Sequence, residues 1–232
     1  MLKFDKVTKS FKGPENRVIA LRNIDFSLSA GEFLAVQGPS GCGKTTLLMT
    51  AAGLLRPDEG AVYIDDQNPY LLDADKRSEF RARTIGFVFQ QFHLIPYLTV
   101  KENIATPLLA GTKLTDHTHR VKELVDRFGL QKRINHLPAQ LSTGEKQRTA
   151  CARAVLNSPR IIMADEPTGN LDQDNAEIIY SFFKEYAADG GSVLLVTHDM
   201  DAASFATRLL HMNEGEIISS TTHGGARKKL DG

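Results

Sequence analysis

A chain of 232 residues, 41% hydrophobic and 24% charged, suits one large globular domain or a core with a subdomain. The 28 basic and 28 acidic residues cancel, so the composition excludes a general basic surface and no nucleic-acid partner is expected. No apolar run approaches the ~20 residues of a membrane helix, residues 1–6 carry no secretory core, and Cys42 and Cys151 read as two free thiols of a reducing compartment; the expectation is a cytoplasmic protein whose membrane contact comes through a partner.

Taken in chain order, residues 1–30 hold short alternating runs such as Ile24, Phe26 and Leu28, bounded by Gly13-Pro14 and Ala30-Gly31. They predict antiparallel strands. Phe33 to Val36 reads as a buried parallel strand. It leads into Gly38-Pro39-Ser40-Gly41-Cys42-Gly43-Lys44-Thr45, which fits G-x-x-x-x-G-K-[ST] at every fixed position. A helix over residues 45–55, stopped by Pro57 and Gly60, should follow. Strand, glycine loop and helix is what phosphate binding needs. Glycines let backbone N–H groups turn around phosphate oxygens, and the helix N-terminus adds its positive dipole end. ATP is the expected ligand: Lys44 bridges the β- and γ-phosphates, the Thr45 hydroxyl binds Mg²⁺, and Thr46 completes the phosphate-binding set.

Further strands are predicted at Val62 to Ile64 and Ile85 to Phe89. From Gln90 to about Pro159 the strand signal stops. Thr99 and Glu102 form a capping box, and Val121, Leu124, Val125 and Phe128 follow helical spacing up to Gly129. The reading is an α/β core of residues 1–90 and 160–218, with an antiparallel β-subdomain and an all-helical insert at 91–159. Within the insert, Ser142-Thr143-Gly144-Glu145 is itself a capping box on a helix through Gln147, Cys151 and Val155 to Pro159. Its N-terminus is an anion site that the insert cannot easily fold back onto its own phosphate loop. Either it is a plain capped helix, or it grips the γ-phosphate held by a second copy of the chain.

The core resumes with Arg160 to Glu166, an apolar strand ending in two carboxylates at the crevice edge of an α/β sheet. Asp165 would hold Mg²⁺ through water, and Glu166 would act on the attacking water as general base. Ile178, Ile179, Phe182, Phe183 and Tyr186 mark a helix ended by Gly190-Gly191, and Ser192 to Thr197 the next strand. Residues 219–232 are small, polar and basic and read as a frayed tail.

Over residues 1–218 the sequence resembles the ATP-binding subunits of ABC transporters. The phosphate loop, Gln90, the segment Leu141 to Gln147, Asp165-Glu166, Asn170-Leu171-Asp172 and His198 follow one another in the family's order. The resemblance implies a P-loop ATPase fold and an ATP-dependent, head-to-tail homodimer. Gln90 would touch Mg²⁺ and the attacking water, Asp172 would lie at the dimer interface, and His198 would contact the γ-phosphate. Phe11 matches the aromatic that stacks on adenine, although an aromatic in an N-terminal strand could equally be core. Phe87 to Gln90, Phe92 to Pro96, Leu98 to Val100 with Glu102-Asn103, and Pro167 to Asp172 look more narrowly like the lipoprotein-release, macrolide-export and cell-division branch, whose members work with a separate membrane permease. Phe92 to Tyr97 would then lie near the groove for the permease's cytoplasmic helix, or pack within the insert. A soluble ABC ATPase of DNA repair is disfavoured by the neutral charge and the lack of heptads. Intact Lys44, Asp165, Glu166 and His198 argue against a non-hydrolysing scaffold.

One position departs from the family. Thr143 stands where the signature usually has the first of two glycines, placing a branched side chain where backbone approaches phosphate. With Ser142 and Gly144 kept, the anion site survives. Thr143→Gly should preserve or raise steady-state ATP turnover; a fall of more than about tenfold would give Thr143 a positive role.

Overall fold

The alternating residues of the N-terminal segment form two long strands, β1 (Leu2–Lys12) and β2 (Arg17–Leu28), paired antiparallel. The structure, a computed structural model, describes residues 1–13, 16–110, 117–199, 201–222 and 228–229. Pro14 and most of the expected tail lie outside the described residues. After β3 (Phe33–Gln37) and the helix α1 (Lys44–Ala51), β4 (Glu59–Ile64) joins the free edge of β1, giving a three-stranded sheet of order β2-β1-β4.

The second sheet carries the core. It contains β3, β5 (Ile85–Phe89), β6 (Ile161–Asp165), β7 (Ser192–Thr197), β8 (Arg208–Asn213), β9 (Glu216–Thr222) and β10 (Lys228–Lys229), in the order β10-β9-β8-β3-β7-β6-β5. The five strands from β8 to β5 run parallel. Every residue of β3 and β7 is buried, as strands covered on both faces require. Their side chains alternate between two apolar clusters. Leu34 and Val36 face one with Leu194 and Val196, where Leu47, Leu48 and Ala51 of α1 meet Phe4, Leu21 and Val62 of the antiparallel sheet. Phe33 and Ala35 face the other, with Ile179, Phe182 and Phe183 of the later helix α6 and residues of the insert. Fully burying each such leucine or phenylalanine is worth roughly 1.5–3 kcal/mol, so α1 is clamped between two sheets.

Between β4 and β5 lies α2 (Ala74–Thr84), a polar helix with Phe80 and Thr84 buried, whose sequence carries no apolar stripe. Between β5 and β6 the described residues contain helices only: α3 (Val100–Ala105), α4 (His117–Arg127), α5 (Thr143–Ala154) and short 3-10 turns. The chain then adds α6 (Gln173–Ala188) and the short α7 (Ala202–Phe205). This is the expected α/β P-loop core with an antiparallel β-subdomain and a helical insert. No helix among the described residues is long and apolar enough to cross a membrane. Cys42 and Cys151 are both free and buried.

Three boundaries differ from the sequence expectation. α1 ends at Ala51, well before Pro57, because Gly53 adopts φ +69° and the N–H groups of Gly53 and Leu54 turn back to the carbonyls of Thr50 and Met49. That 6→1 and 5→2 pairing is a Schellman stop. α5 ends at Ala154, where the Leu156 N–H closes a tighter turn onto the Arg153 carbonyl, instead of running to Pro159. Residues 219–222 belong to β9 and pair with β8, from His211↔Ser219 to Arg208↔Thr222; a Ser/Thr run that reads as tail is a paired strand here.

The insert is organised around Asn103, which is fully buried. Its side-chain oxygen accepts from the Ile95 N–H (2.7 Å), and its amide donates to the carbonyls of Ile95, Leu98 and Thr99 (3.1, 2.8 and 3.1 Å). Asn103→Ala orphans these backbone groups and should cost about 2–4 kcal/mol. The expected reading is a lowered urea midpoint at unchanged slope; an unaltered midpoint would show that the network is dispensable.

Candidate functional site

The parallel strands place the site. Gln37 pairs with Thr197, Asp165 with Val196, and Phe89 with Asp165, so β3, β7, β6 and β5 end at one edge. The next residues along those strands are Gly38 of the phosphate loop, His198, Glu166 and Gln90. A cleft of about 480 Å³ at this edge is lined by Phe11, Ser40, Gly41, Gly43, Lys44, Thr45, Thr46, Gln90, Glu166 and His198, together with Ala20, which nothing in the sequence signalled.

Lys44 is almost fully buried, and its ammonium donates to the carbonyls of Gly38 (2.8 Å) and Pro39 (3.1 Å), 3.8 Å from Glu166 Oε1. The Thr45 hydroxyl donates to Asp165 Oδ1 at 3.2 Å. These are two hard oxygen donors beside a phosphate loop, a set that fits a small cation such as Mg²⁺. Burial pushes the Asp165 carboxyl above its ordinary range; the hydrogen bond from Thr45 and the charge of Lys44 oppose the shift, and Glu166 adds to it.

Glu166 has φ +45°, a left-handed backbone held in place by its surroundings. Its Oε2 accepts from the Thr197 hydroxyl (2.9 Å) and the His198 N–H (3.2 Å), and its Oε1 lies 2.9 Å from His198 Nδ1. At that distance from a carboxylate, Nδ1 carries a hydrogen, which leaves Nε2 for a ligand. Gln90 is tied to the loop after Glu166 through the Asn170 amide, which donates to the Gln90 carbonyl at 3.3 Å. Phe11 is 43% exposed and therefore not core. The strand end beneath it is fixed by Asp58, which accepts from the Ser10 hydroxyl (2.6 Å), Lys9 (2.9 Å) and Arg17 (3.0 Å) and is held well below the usual carboxylate range by Ser10 and Lys9 above all.

None of Ser142, Thr143, Gly144 and Glu145 lines this cleft. Ser142 caps α5: its hydroxyl accepts from the Glu145 N–H (3.2 Å), and Glu145 Oε2 accepts from the Ser142 N–H (2.8 Å). Arg133 donates to the other Glu145 oxygen at 2.8 Å and is the main cause of that carboxyl's lowered pKa. Gly144 packs so closely on Asn175 that a Cβ would lie 2.2 Å from its side-chain oxygen. Asn175 accepts from Arg148 (2.6 Å) and donates to Asp172, which caps α6. Thus Asp172, outside the cleft, is wired through Asn175 to the helix that begins at Ser142.

The fold and this edge of strand ends define a P-loop ATPase, and comparison with known proteins narrows the class. The family model described as ABC transporter matches residues 21–169. The lipoprotein-releasing system ATP-binding protein LolD 1 of Rhodopirellula baltica is 42% identical over 220 residues, covering 94% of this chain and 96% of that protein. A macrolide export ATP-binding/permease protein MacB of Burkholderia cenocepacia is 38% identical over 220 residues, 94% of this chain but 32% of that longer protein. The ATP-binding cassette MJ0796, solved as a dimer in a post-hydrolysis state with ADP and Pi, superposes with a TM-score of 0.88 at 39% identity over the full length of both chains; it comes from Methanocaldococcus jannaschii. The chain belongs to the ABC transporter family, as an ATP-binding subunit that hydrolyses ATP.

Because the Asp165 pKa is raised in the folded state, its ionised form costs stability above that pKa. The cost fades as pH falls through the folded value and is gone below the unfolded one. Asp165→Asn should therefore raise the melting temperature of the nucleotide-free protein at pH 7–8, with a gain that shrinks on acidification. A gain that grew towards acid would contradict the assignment.

Proposed function

We propose that two copies of this chain close head to tail over two ATP molecules and that this closure drives a separate membrane permease. The observation that carries the reading is the separation of Ser142–Glu145 from the cleft that holds Lys44, Glu166 and His198. A capped helix N-terminus is an anion site without an anion in its own chain. A relative of the same fold solved as a dimer supports placing it over the partner's γ-phosphate.

In the closed pair the adenine stacks on Phe11, an interaction worth about 1–3 kcal/mol. Lys44 exchanges the Gly38 and Pro39 carbonyls for β- and γ-phosphate oxygens, while backbone N–H groups of residues 40–46 surround the phosphates. Mg²⁺, held by Thr45, Gln90 and Asp165, would neutralise phosphate charge. Glu166 accepts the proton of the attacking water, and His198, whose ring is fixed by its Nδ1 on Glu166, contacts the γ-phosphate. Ser142 and Gly144 of the partner copy grip that phosphate from the other side, with Thr143 and Glu145 shaping the turn, and Asp172 lines the interface. This is positioning and charge stabilisation, which phosphoryl transfer chiefly requires.

The permease reading rests on a second cleft of about 420 Å³, lined among others by Phe87, Phe89, His93, Thr106, Pro107 and Arg153. Arg153, at the end of α5, donates to the carbonyls of Phe92 and His93 at 2.6 Å each. The helix whose start meets phosphate thus ends on the wall of this groove, which suits a cytoplasmic helix of the permease. Relatives named for lipoprotein release and macrolide export support work of this kind for the complex; the chain would sit on the cytoplasmic face of the membrane through its permease.

Two variants test the pocket. Lys44→Ala should weaken ATP binding in a fluorescent-nucleotide titration. Glu166→Gln should keep binding, lower kcat by about 10²–10⁴ and form an ATP-dependent dimer in size-exclusion light scattering. A strictly monomeric Glu166→Gln protein at saturating ATP would refute the two-copy site.

A further inference from the structure

Behind the cleft runs a chain of hydrogen bonds that starts on the general base. Glu166 Oε2 accepts from the Thr197 hydroxyl (2.9 Å), and Thr197 Oγ1 accepts from the Asp199 N–H (3.0 Å). Asp199 Oδ2 accepts from the Tyr180 hydroxyl at 2.8 Å, and the same phenol oxygen lies 2.6 Å from Thr168 Oγ1. The Asp199 carbonyl also accepts from Gln37, at the end of β3 (3.2 Å). A phenol has one proton and a carboxylate only accepts, so the Tyr180 proton goes to Asp199 and the Thr168 hydroxyl donates to Tyr180.

The placement is specific. Thr168 lies two residues beyond Glu166, on the loop leading to Asp172; Asp199 is the residue after His198. Tyr180 sits midway along α6, between Ile179 and Phe183 of the core, with its ring 5.2 Å from that of Phe205. Tyr180, Thr168 and Thr197 are 1%, 5% and 1% exposed, so solvent does not readily replace a lost partner. A helix fixed by the core thus presents one hydroxyl to two loops, one carrying Glu166 in its left-handed conformation and the other carrying His198.

We propose that Tyr180 is a positioning residue of the ATPase reaction: its hydroxyl joins the loop after β6 to the loop after β7 and so keeps Glu166 and His198 in register. The inference rests on the roles given above to Glu166 and His198 and adds a residue that touches neither nucleotide nor water.

Tyr180→Phe removes one oxygen and keeps the ring. It should lower kcat on the order of tenfold while leaving the KM for ATP within about twofold; losing one buried hydroxyl should lower the nucleotide-free melting temperature by a few degrees, with the protein still folded at the assay temperature. Thr168→Val should match it, Thr168→Ser should retain most of the rate, and Tyr180→Phe/Thr168→Val should be no slower than either single variant, since both break one linkage. Wild-type kcat in Tyr180→Phe, a KM that rises as far as kcat falls, or a Thr168→Ser as slow as Thr168→Val would overturn the proposal. Glu166→Gln is measured alongside. If it is inactive while Tyr180→Phe turns over normally, only the positioning role falls; if it hydrolyses ATP at the wild-type rate, the reading of the cleft falls and the proposal with it.

Discussion

The site depends on one constraint, the registered parallel pairing of β3, β7, β6 and β5. Parallel strands bring chemically unrelated segments to a common edge only if their ends coincide. Here Gln37 lies beside Thr197 and Asp165 beside both Val196 and Phe89. Gln90, Glu166 and His198 are each the first residue past such an end, Asp165 is the last residue of its strand, and Lys44 and Thr45 follow on the loop that leaves β3. Side-chain direction alternates along a strand, so a slip of one residue in β6 would turn Asp165 and Glu166 to the opposite faces and part Glu166 from Thr197 and His198. The apolar residues of β3 and β7, buried on both faces, set that register against two different clusters at once.

The same edge stores unfavourable terms. Asp165 is partly desolvated with Glu166 next to it, Glu166 occupies a left-handed backbone, and Lys44 spends its buried charge on loop carbonyls. Each is a cost in the empty protein, and the proposed cation at Asp165 and polyphosphate at Lys44 would relieve the electrostatic part of it. Gln90 is cross-linked through Asn170 to the loop after Glu166, and Asp172 at the end of that loop is cross-linked through Asn175 to α5.

Much of this was legible in the residues. The phosphate loop, the capping boxes at Thr99 and Ser142, and the carboxylate pair after an apolar run are local patterns, and local patterns survive into the fold. Helix ends were less legible. Gly53, not Pro57, stops α1, because an αL residue closes the carbonyls as soon as packing on the two sheets ends. The polar α2 is held by tertiary contact of Phe80 and by its Asp73 cap, not by an apolar stripe. The Ser/Thr run of β9 has strand form because β8 offers it an edge. Ala20, Tyr180 and Asn175 could not be read from sequence, since their importance lies in contacts between segments far apart in the chain.

The grip of Arg153 on Phe92 and His93 has an evolutionary consequence. The guanidinium holds main-chain oxygens, which any amino acid supplies. Residues 92 and 93 can therefore be exchanged for others that tolerate their positive φ without loosening the end of α5. With the permease docked as proposed, a groove wall built this way can be retailored to a new partner while the motor behind it stays the same.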